Sequence, residues 1–426
     1  MTRSYFSVTI PLPLPYNLKI KWQVDMALSF VALAKYAPIA LLLACLPAAG
    51  QEAAPDQFTP VLVSPLTSST QPFLATDGKY HVDYELVVTN AKPTTATLKK
   101  IEVLDADKPS AVIASYQGDT LLSRLRTMGG APANNLEIEF NGTRMFLIDL
   151  IFDTRAQVPN RLQHHFEVMA APTPAPMPVT PVALSYTVAP IALHQKVLEI
   201  GPPLKGQRWV AFNGCCGLSA AHRGAGQSVN GGMYFGQRFA IDWLRLDEGG
   251  RLVHGDPADV HSYADYDADV LAVADGTVVT MQDTLDDQPP GKLPDVNTIT
   301  LANVDGNQVV LDLGGGVYAF YAHLRKKSIP VTVGQHVKRG QLLGKLGNTG
   351  NTTAPHLHFH LMEGVSVLGS NGIPYVIDNF ALAGKIPADK DPALADSVEG
   401  SWSDDLFPNA SPRHAQFPLN LDIVDF

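Results

Sequence analysis

The chain has 426 residues, of which 46% are hydrophobic and 17% are charged. This balance and length predict a globular protein with two domains. The formal net charge is −10 and no basic run stands out, so we expect no nucleic-acid partner. The 34 glycines and 33 prolines favour turns and short strands over long helices.

Residues 1–50 are typical of a targeting segment and not of a folded domain. The apolar run at residues 39–46 is too short to span a bilayer with confidence. Ala48 and Gly50 suit the −3 and −1 positions of a signal peptidase that would cut before Gln51. We therefore expect an exported protein, in the periplasm or at the cell surface.

Two other interpretations of the same segment stay open. Residues 42–45 resemble a bacterial lipoprotein box, which would place a lipid anchor on Cys45. The second interpretation is an uncleaved membrane anchor. Met26 is an alternative first residue of the protein, which would give a signal of ordinary length. In each case the membrane would be reached only through the signal or the anchor.

Residues 51–182 are predicted to form an N-terminal immunoglobulin-like β-sandwich. Short segments rich in β-branched and aromatic residues alternate there with Asn, Gly, Pro and Asp turns. The predicted strands are 80–89, 99–104, 136–140 and 144–152, and a short helix is predicted within 123–128. His164 and His165 are adjacent, so they face opposite sides of a strand and do not share a metal site.

A second domain is predicted over residues 183–379, followed by a tail over residues 380–426. A connector with five prolines in eleven residues, 171–181, precedes it. The predicted strands are 238–244, a hairpin over 270–279, then 297–313, 318–324 and parts of 333–346. This pattern predicts an almost entirely β domain.

The adjacent pair Cys215 and Cys216 allows either a strained vicinal disulfide or two separate thiols. Neighbouring side chains normally point apart, which favours separate thiols. The usual spacing of a zinc-binding cysteine pair is absent, so we expect no zinc site there.

A strictly alternating stretch, residues 356–361, follows a glycine-rich turn. Period two is typical of a strand, so His356, His358 and His360 should share one face and the three apolar residues the other. Neutral imidazole is the commonest metal ligand. Together with Asp242, which lies inside an apolar run, and one further histidine, the stretch predicts a metal site on a β-sheet.

Five segments in one order then resemble the lysostaphin/LytM-type zinc endopeptidases over roughly residues 205–365. They are AIDW, VLAVADGTVV, YAFYAHL, VGQHVKRGQLLGKLGNTG and PHLHFHL. The resemblance implies a compact antiparallel β-sheet with the site in a groove. It also implies cleavage of peptide bonds in peptidoglycan cross-bridges or stem peptides, with peptidoglycan or another peptide as the substrate.

The resemblance assigns roles to four residues. Asp242 and His358 match the family's zinc ligands, and His323 and His356 match the histidines that serve catalysis. The implied cofactor is Zn²⁺, and the implied activity is that of an exported zinc metalloendopeptidase.

One departure concerns the third zinc ligand. The family has a histidine four residues before the acid, whereas this chain has Arg238, and a guanidinium does not bind zinc. We expect His222, in the preceding loop, to supply the ligand. If His222 is instead a surface residue, the domain is an inactive relative that binds the cell wall or activates a hydrolase.

Two further histidines and the sandwich also have expected roles. His360 stands where the family often has glutamate, and it is expected to line the groove or support the ligands. His336 is expected at the surface. An adhesion protein that acts mainly through its sandwich is a third interpretation of the chain.

Overall fold

Strands dominate the computed structural model, which describes residues 58–171, 180–194, 196–218, 220–391 and 400–426. This confirms the prediction of a mainly β protein. The predicted targeting segment, residues 1–50, lies outside the described residues. No helix in the described part of the chain has the length and hydropathy of a membrane span.

The N-terminal part contains eleven strands and one short helix, α1, at Gly118–Leu122. The strands are β1 Val61–Pro65, β2 Ser69–Thr70, β3 Phe73–Leu74, β4 Tyr80–Asn90, β5 Ala96–Asp105, β6 Lys108–Gln117, β7 Leu125–Arg126, β8 Glu137–Ile138, β9 Thr143–Phe152, β10 Arg161–Ala170 and β11 Val182–Leu193. The helix lies just before the predicted 123–128.

These strands form two sheets that share a core. One has the order β1-β4-β9-β7 with β3 beside β4, and the other has the order β2-β11-β10-β5-β6 with β8 beside β5. Tyr84 and Phe146 from the first sheet meet Ile101 and Phe166 from the second, as expected for facing layers of a sandwich. The immunoglobulin-like topology stays a prediction.

The sandwich continues beyond the predicted boundary at residue 182. Strand β11, Val182–Leu193, pairs along its length with β10. The proline-rich connector therefore lies between two paired strands of one sheet, and the second part of the chain begins after residue 193.

Strand β4 is unusual because both of its faces are buried. Val82, Tyr84 and Leu86 face the sandwich core, while Asp83 and Glu85 on the other face have no exposed surface. Ionised side chains are rarely buried unless they are paired. Their partners come from the second part of the chain and are described below.

Sixteen further strands and several 3₁₀ turns make up the rest. The strands are β12 Leu198–Ile200, β13 Trp209–Phe212, β14 Gln227–Val229, β15 Gly232–Tyr234, β16 Ile241–Arg245, β17 Asp269–Leu271, β18 Gly276–Gln282, β19 Asn307–Gly314, β20 Val317–Leu324, β21 His336–Val337, β22 Leu342–Lys345, β23 Leu357–Met362, β24 Gly372–Ile373, β25 Tyr375–Lys385, β26 Leu406–Gln416 and β27 Asp422–Asp425. The 3₁₀ turns across the described chain are Arg155–Gln157, Ala221–Gly224, Val260–Ser262, Val296–Thr298, Ala388–Lys390 and Ser403–Asp405.

Most of these strands join one large sheet. Its order is β12-β25-β27-β13-β16-β23-β20-β19-β18-β21, with β24 beside β23 and β26 beside β25. Leu357, Phe359 and Leu361 of β23 lie in its main hydrophobic core, as the alternating pattern predicts. Strands β16, β23 and β20 are neighbours in the middle of this sheet, and they carry Asp242, His358 and His323.

Three predictions for this region are corrected. Residues 270–279 do not form a hairpin, because β17 pairs with β22 while β18 pairs with β19 and β21. The strand predicted from residue 297 begins only at Asn307. The predicted tail contributes β26 and β27 to the large sheet, and its Phe417 packs against Phe73 of the sandwich.

The two adjacent cysteines are also paired differently from the favoured prediction. Cys215 and Cys216 form a vicinal disulfide, and both are buried in the main core of the large sheet.

Candidate metal centre

The sheet brings together residues that are far apart in the sequence. In the antiparallel pairing of β16 with β23, Asp242 lies opposite His358. On the other side of β23, His358 lies opposite Ala322 of β20, next to His323. Neighbouring strands are about 4.8 Å apart, so these three side chains reach one small region.

His222 reaches the same region from a turn. It lies in the 3₁₀ turn Ala221–Gly224, and its Nε2 is 3.4 Å from Oδ2 of Asp242. Nδ1 of His358 is 2.8 Å from Oδ1 of Asp242. One ligand atom from each of His222, Asp242 and His358 can be chosen so that all lie within 4.8 Å of one another. All three residues are buried.

These three groups fit a zinc ion by their chemistry and spacing. Two imidazole nitrogens and a carboxylate oxygen form a ligand set that catalytic zinc uses. Ligand atoms at the corners of a tetrahedron with zinc bonds of about 2.1 Å are about 3.4 Å apart. The distance from His222 Nε2 to Oδ2 of Asp242 equals this value, and the distance from His358 Nδ1 to the other carboxylate oxygen, Oδ1, is 2.8 Å, about 0.6 Å shorter.

Hydrogen bonds outside the cluster orient two of its members. Asn213 donates from Nδ2 to Oδ2 of Asp242 at 2.8 Å. Nδ1 of His222 lies 3.2 Å from the carbonyl oxygen of Ala240, which accepts its N–H and leaves Nε2 free to face Asp242. Such outer partners fix the tautomer and direction of a ligand.

His360 supports the third member. Its Nδ1 is 3.0 Å from Nε2 of His358, and its own Nε2 is buried with no hydrogen-bond partner among the described residues. When Nε2 of His358 donates to His360, Nδ1 of His358 is left as the atom that faces Asp242. The expectation that His360 supports a ligand therefore has a geometric basis.

His323 and His356 lie beside the cluster. Their ring centroids are 4.6 Å apart. Nδ1 of His323 is 2.7 Å from the carbonyl oxygen of Thr349, and Nδ1 of His356 is 2.8 Å from that of Ala354. With its Nδ1–H bound to a backbone carbonyl, His323 keeps Nε2 available for proton transfer, whereas Nε2 of His356 lies 3.4 Å from Oδ1 of Asp242.

A cavity of about 260 Å³ connects all five residues. Its lining is His222, Gln237, Asp242, Leu293, His323, Asn351, Thr352, Thr353, His356 and His358. The structure thus places every predicted site residue in one open pocket.

Burial and neighbouring charges set the protonation of the cluster. Burial lowers the pKa of His222 to about 4, so this imidazole is neutral at pH 7. Burial alone would raise the pKa of Asp242, but the nearby imidazoles of His222, His356 and His358 hold it well below its usual range. Neutral imidazole and ionised carboxylate are the forms that bind a metal ion.

The two neighbouring histidines are shifted in opposite directions. Burial, together with the charges of His356 and His358, lowers the pKa of His323 well below its usual range. Burial acts in the same direction on His356, but Asp242 outweighs it and the pKa of His356 is raised. Pairs of groups with separated pKa values are typical of acid–base sites.

Arg238, His336 and two further histidines lie elsewhere. Arg238 bonds Glu85 and the carbonyl oxygen of Gly372, and so is not in the cluster. His336 is exposed. His254 and His261 line a separate cavity of about 420 Å³.

Sequence reasoning missed Asn213 as a partner of Asp242. It directly follows β13, whose Phe212 lies opposite Asp242. The Asn-Gly dipeptide there signals only a turn, and no local pattern links residues 213 and 242.

Residues 259–370 match the profile of Peptidase family M23. This segment is an M23 peptidase domain. It contains His323, His356 and His358, and it begins after His222 and Asp242.

Curated relatives match over a short stretch of the chain. Peptidoglycan DD-endopeptidase ShyA of Vibrio cholerae is 49% identical over 57 residues, which are 13% of this chain and 13% of ShyA. Lysostaphin of Staphylococcus simulans is 50% identical over 58 residues, which are 13% of this chain and 11% of lysostaphin. The chain therefore matches only a small part of each relative's length.

Among solved structures, the lysostaphin catalytic domain of Staphylococcus simulans is 24% identical, with a TM-score of 0.21 over 34% of this chain and 80% of that chain. The catalytic domain of the M23 protein EnpA of Enterococcus faecalis is 20% identical, with a TM-score of 0.21 over 32% of this chain and 72% of that chain.

Proposed function

We propose that the protein is an exported zinc metalloendopeptidase that hydrolyses peptide bonds in peptidoglycan cross-links or stem peptides. The observation that supports this most strongly is the cluster of His222, Asp242 and His358 in an open cavity beside His323 and His356. The peptidoglycan substrate is proposed because the matching relatives are named as a peptidoglycan endopeptidase and lysostaphin. Export is proposed from residues 1–50 alone.

The proposed ligands are His222 through Nε2, the carboxylate of Asp242, and His358 through Nδ1. A zinc ion held there would lower the pKa of a bound water and polarise the scissile carbonyl group. Asn213, Ala240 and His360 would keep the three ligands in their orientations.

The other two histidines would move protons and stabilise charge. His323 and His356 both line the cavity, with their Nδ1–H groups bound to Thr349 and Ala354. Nε2 of His356 lies 3.4 Å from Oδ1 of Asp242. One Nε2 can accept a proton from the attacking water, and a protonated Nε2 can donate to the carbonyl oxygen or to the leaving amine. Their close spacing allows both to act on one peptide bond.

The alternative, an inactive module that binds the cell wall or activates a hydrolase, was suggested by Arg238 at the position of a ligand. Nε2 of His222 lies 3.4 Å from Oδ2 of Asp242. This position favours the enzyme interpretation over the inactive module, because His222 can supply the third ligand.

The test is metal analysis of the purified protein, together with mass spectrometry of peptidoglycan digests. We expect about one zinc per chain, the number of ions that one three-ligand site binds, and new peptide ends that disappear after chelation. His358→Ala should lose both zinc and cleavage, while His336→Ala should keep both. A folded protein with neither zinc nor cleavage would contradict the proposal.

A further inference from the structure

Four ionisable side chains are buried together between the sandwich and the segments that bear the candidate metal ligands. Asp83 and Glu85 of β4 are 0% exposed, Arg223 is 1% exposed and Arg238 is 2% exposed. Burial raises the pKa of Asp83 well above its usual range despite the nearby Arg223 and Arg238, so Glu85 is the main negative partner of the two arginines. Buried charges of this kind are tolerated only when their partners are held in place.

Arg223 makes most of the contacts. It lies 2.8 Å from Oδ1 of Asp83 and 2.5 Å from Oε1 of Glu85. It also donates to the backbone carbonyl oxygens of Tyr84 at 3.1 Å and Ile148 at 3.2 Å. Its guanidinium is therefore fixed entirely by strands β4 and β9 of the sandwich.

Arg238 is tied to the same acid. It donates to Oε2 of Glu85 at 2.6 Å and to the carbonyl oxygen of Gly372 at 2.7 Å. The two oxygens of Glu85 thus bind two different arginines, and burial does not neutralise this carboxyl, because Arg238 and Arg223 hold its pKa below its usual range.

Both arginines are next to candidate ligands in the chain. Arg223 directly follows His222 in a 3₁₀ turn, and Arg238 precedes Asp242 by four residues. The chain shortly before the turn is also attached to the sandwich, since Arg126 of β7 donates to the carbonyl oxygen of Leu218 at 3.1 Å.

Asp242 and His358 are held by sheet pairing, whereas His222 lies outside the strands. Its own ring is held by the carbonyl oxygen of Ala240 at 3.2 Å. The backbone that carries the ring must therefore be fixed by its neighbours, and the best-anchored neighbour is Arg223.

We infer that strand β4 of the sandwich is a structural part of the metal centre, in which Asp83 and Glu85 hold Arg223 and Arg238 and so position His222 against Asp242. This inference rests on the proposed function. Glu85, Asp83, Arg223 and Arg238 are positioning residues, since none of them contacts a candidate ligand atom directly. The sandwich is then required for metal binding, whatever else it binds.

The test measures zinc affinity by competition with a chromophoric chelator, on the full-length protein. Glu85→Gln keeps the side-chain shape and removes the charge, and Arg223→Lys keeps the charge and removes the planar donor group. Each should weaken zinc binding by up to about 10-fold, the lower end of the range for loss of a residue that bonds a metal ligand directly. Each should also change the absorption spectrum of the Co²⁺-substituted protein, which reports ligand geometry.

The matched control is Tyr84→Phe, between the two acids on the same strand. Its hydroxyl bonds His164 in the sandwich core, on the opposite face, so zinc affinity and the Co²⁺ spectrum should stay at wild-type values. Circular dichroism identifies the variants that fold. Arg126→Lys, which removes the planar group that donates to the carbonyl oxygens of Ser123, Leu125 and Leu218, replaces any that do not.

The outcomes separate the two proposals. Folded variants with wild-type zinc affinity and wild-type Co²⁺ spectra would overturn the role of β4 while leaving the proposed function intact. A wild-type protein that binds no zinc would overturn the proposed function and this inference with it.

Discussion

Asp242 and His358 are 116 residues apart in the chain, yet Oδ1 of the carboxylate lies 2.8 Å from Nδ1 of the imidazole. Their antiparallel strands place them directly opposite each other. Two members of the candidate metal centre are therefore fixed by the central sheet. The third member, His222, is carried by a 3₁₀ turn, so its position depends on the contacts that anchor this turn.

Replacement of the third ligand should abolish stable metal binding. For His222→Ala we expect zinc to fall from about one per chain to a small fraction after dialysis, because two ligands hold zinc weakly compared with three. Peptide cleavage should fall with it. Elemental analysis and the digestion assay measure the two effects, and unchanged zinc with unchanged cleavage would remove His222 from the ligand set.

Replacement of His323 should reduce the catalytic rate without loss of the bound metal. Its Nδ1 is bound to the carbonyl oxygen of Thr349 and it is not a member of the ligand cluster. We expect His323→Ala to keep its zinc while kcat falls about 10²- to 10⁴-fold, the usual contribution of general acid–base catalysis. Loss of zinc in this variant would instead make His323 a ligand.

Asn213 should act on the metal through Asp242. Its backbone has a φ of 56°, a conformation that glycine adopts without strain, so Asn213→Gly removes the hydrogen bond to Asp242 with little backbone cost. We expect zinc affinity to fall about 10- to 100-fold. Asn230→Gly is the matched control, because Asn230 is exposed and has a φ of 50°; equal affinities in the two variants would contradict the role of Asn213.

The sandwich should lose stability in mild acid because of His164. Its Nδ1 donates to the carbonyl oxygen of Ala189 and its Nε2 accepts from Tyr84, and burial lowers its pKa to about 4. The unfolded chain, with a histidine pKa of about 6.5, takes up the proton first as the pH falls. The stability that His164 contributes is thus complete above pH 6.5 and is lost between about pH 6.5 and 4.

The loss is at most about 3.5 kcal/mol, from about 2.5 pKa units at about 1.4 kcal/mol each, and about 2 kcal/mol of it is reached by pH 5. Urea unfolding at pH 7 and at pH 5 measures it. His164→Gln should flatten this part of the pH dependence, whereas the variant His165→Gln, at the half-buried neighbouring position, should follow the wild type. If the free energy of unfolding changes with pH in the same way in the wild type and in His164→Gln, this role of His164 is contradicted.

The histidine strand was predictable because its chemistry is local. The alternation in residues 356–361 puts Leu357, Phe359 and Leu361 into the core and leaves His358 and His360 on the other face. Period two needs no knowledge of the partner strands. The resemblance then assigned roles to Asp242 and His323.

Long-range charge pairs were not predictable in this way. Asp83 and Glu85 alternate with apolar residues, as on a strand with one solvated face, but that face is covered by Arg223 and Arg238. The nearest of these pairings spans 138 residues, and no local pattern encodes it. The sequence therefore suggested an independent sandwich.

Two local sequence signals led to wrong predictions of strand pairing. Asp275-Gly276 is a typical hairpin turn, yet the strands on either side pair with other partners. Residues 406–416 contain prolines and polar residues that argue against a central strand, but they form β26 on β25, where proline at a sheet edge is tolerated.

The most direct test of the central claim is the anomalous diffraction of a zinc-loaded crystal. We predict one strong peak with Nε2 of His222, an oxygen of Asp242 and Nδ1 of His358 each within about 2.0–2.2 Å, the normal range for such bonds to zinc. A peak that lacks His222 among its ligands, or no peak at this cluster in a crystal soaked with zinc, would contradict it.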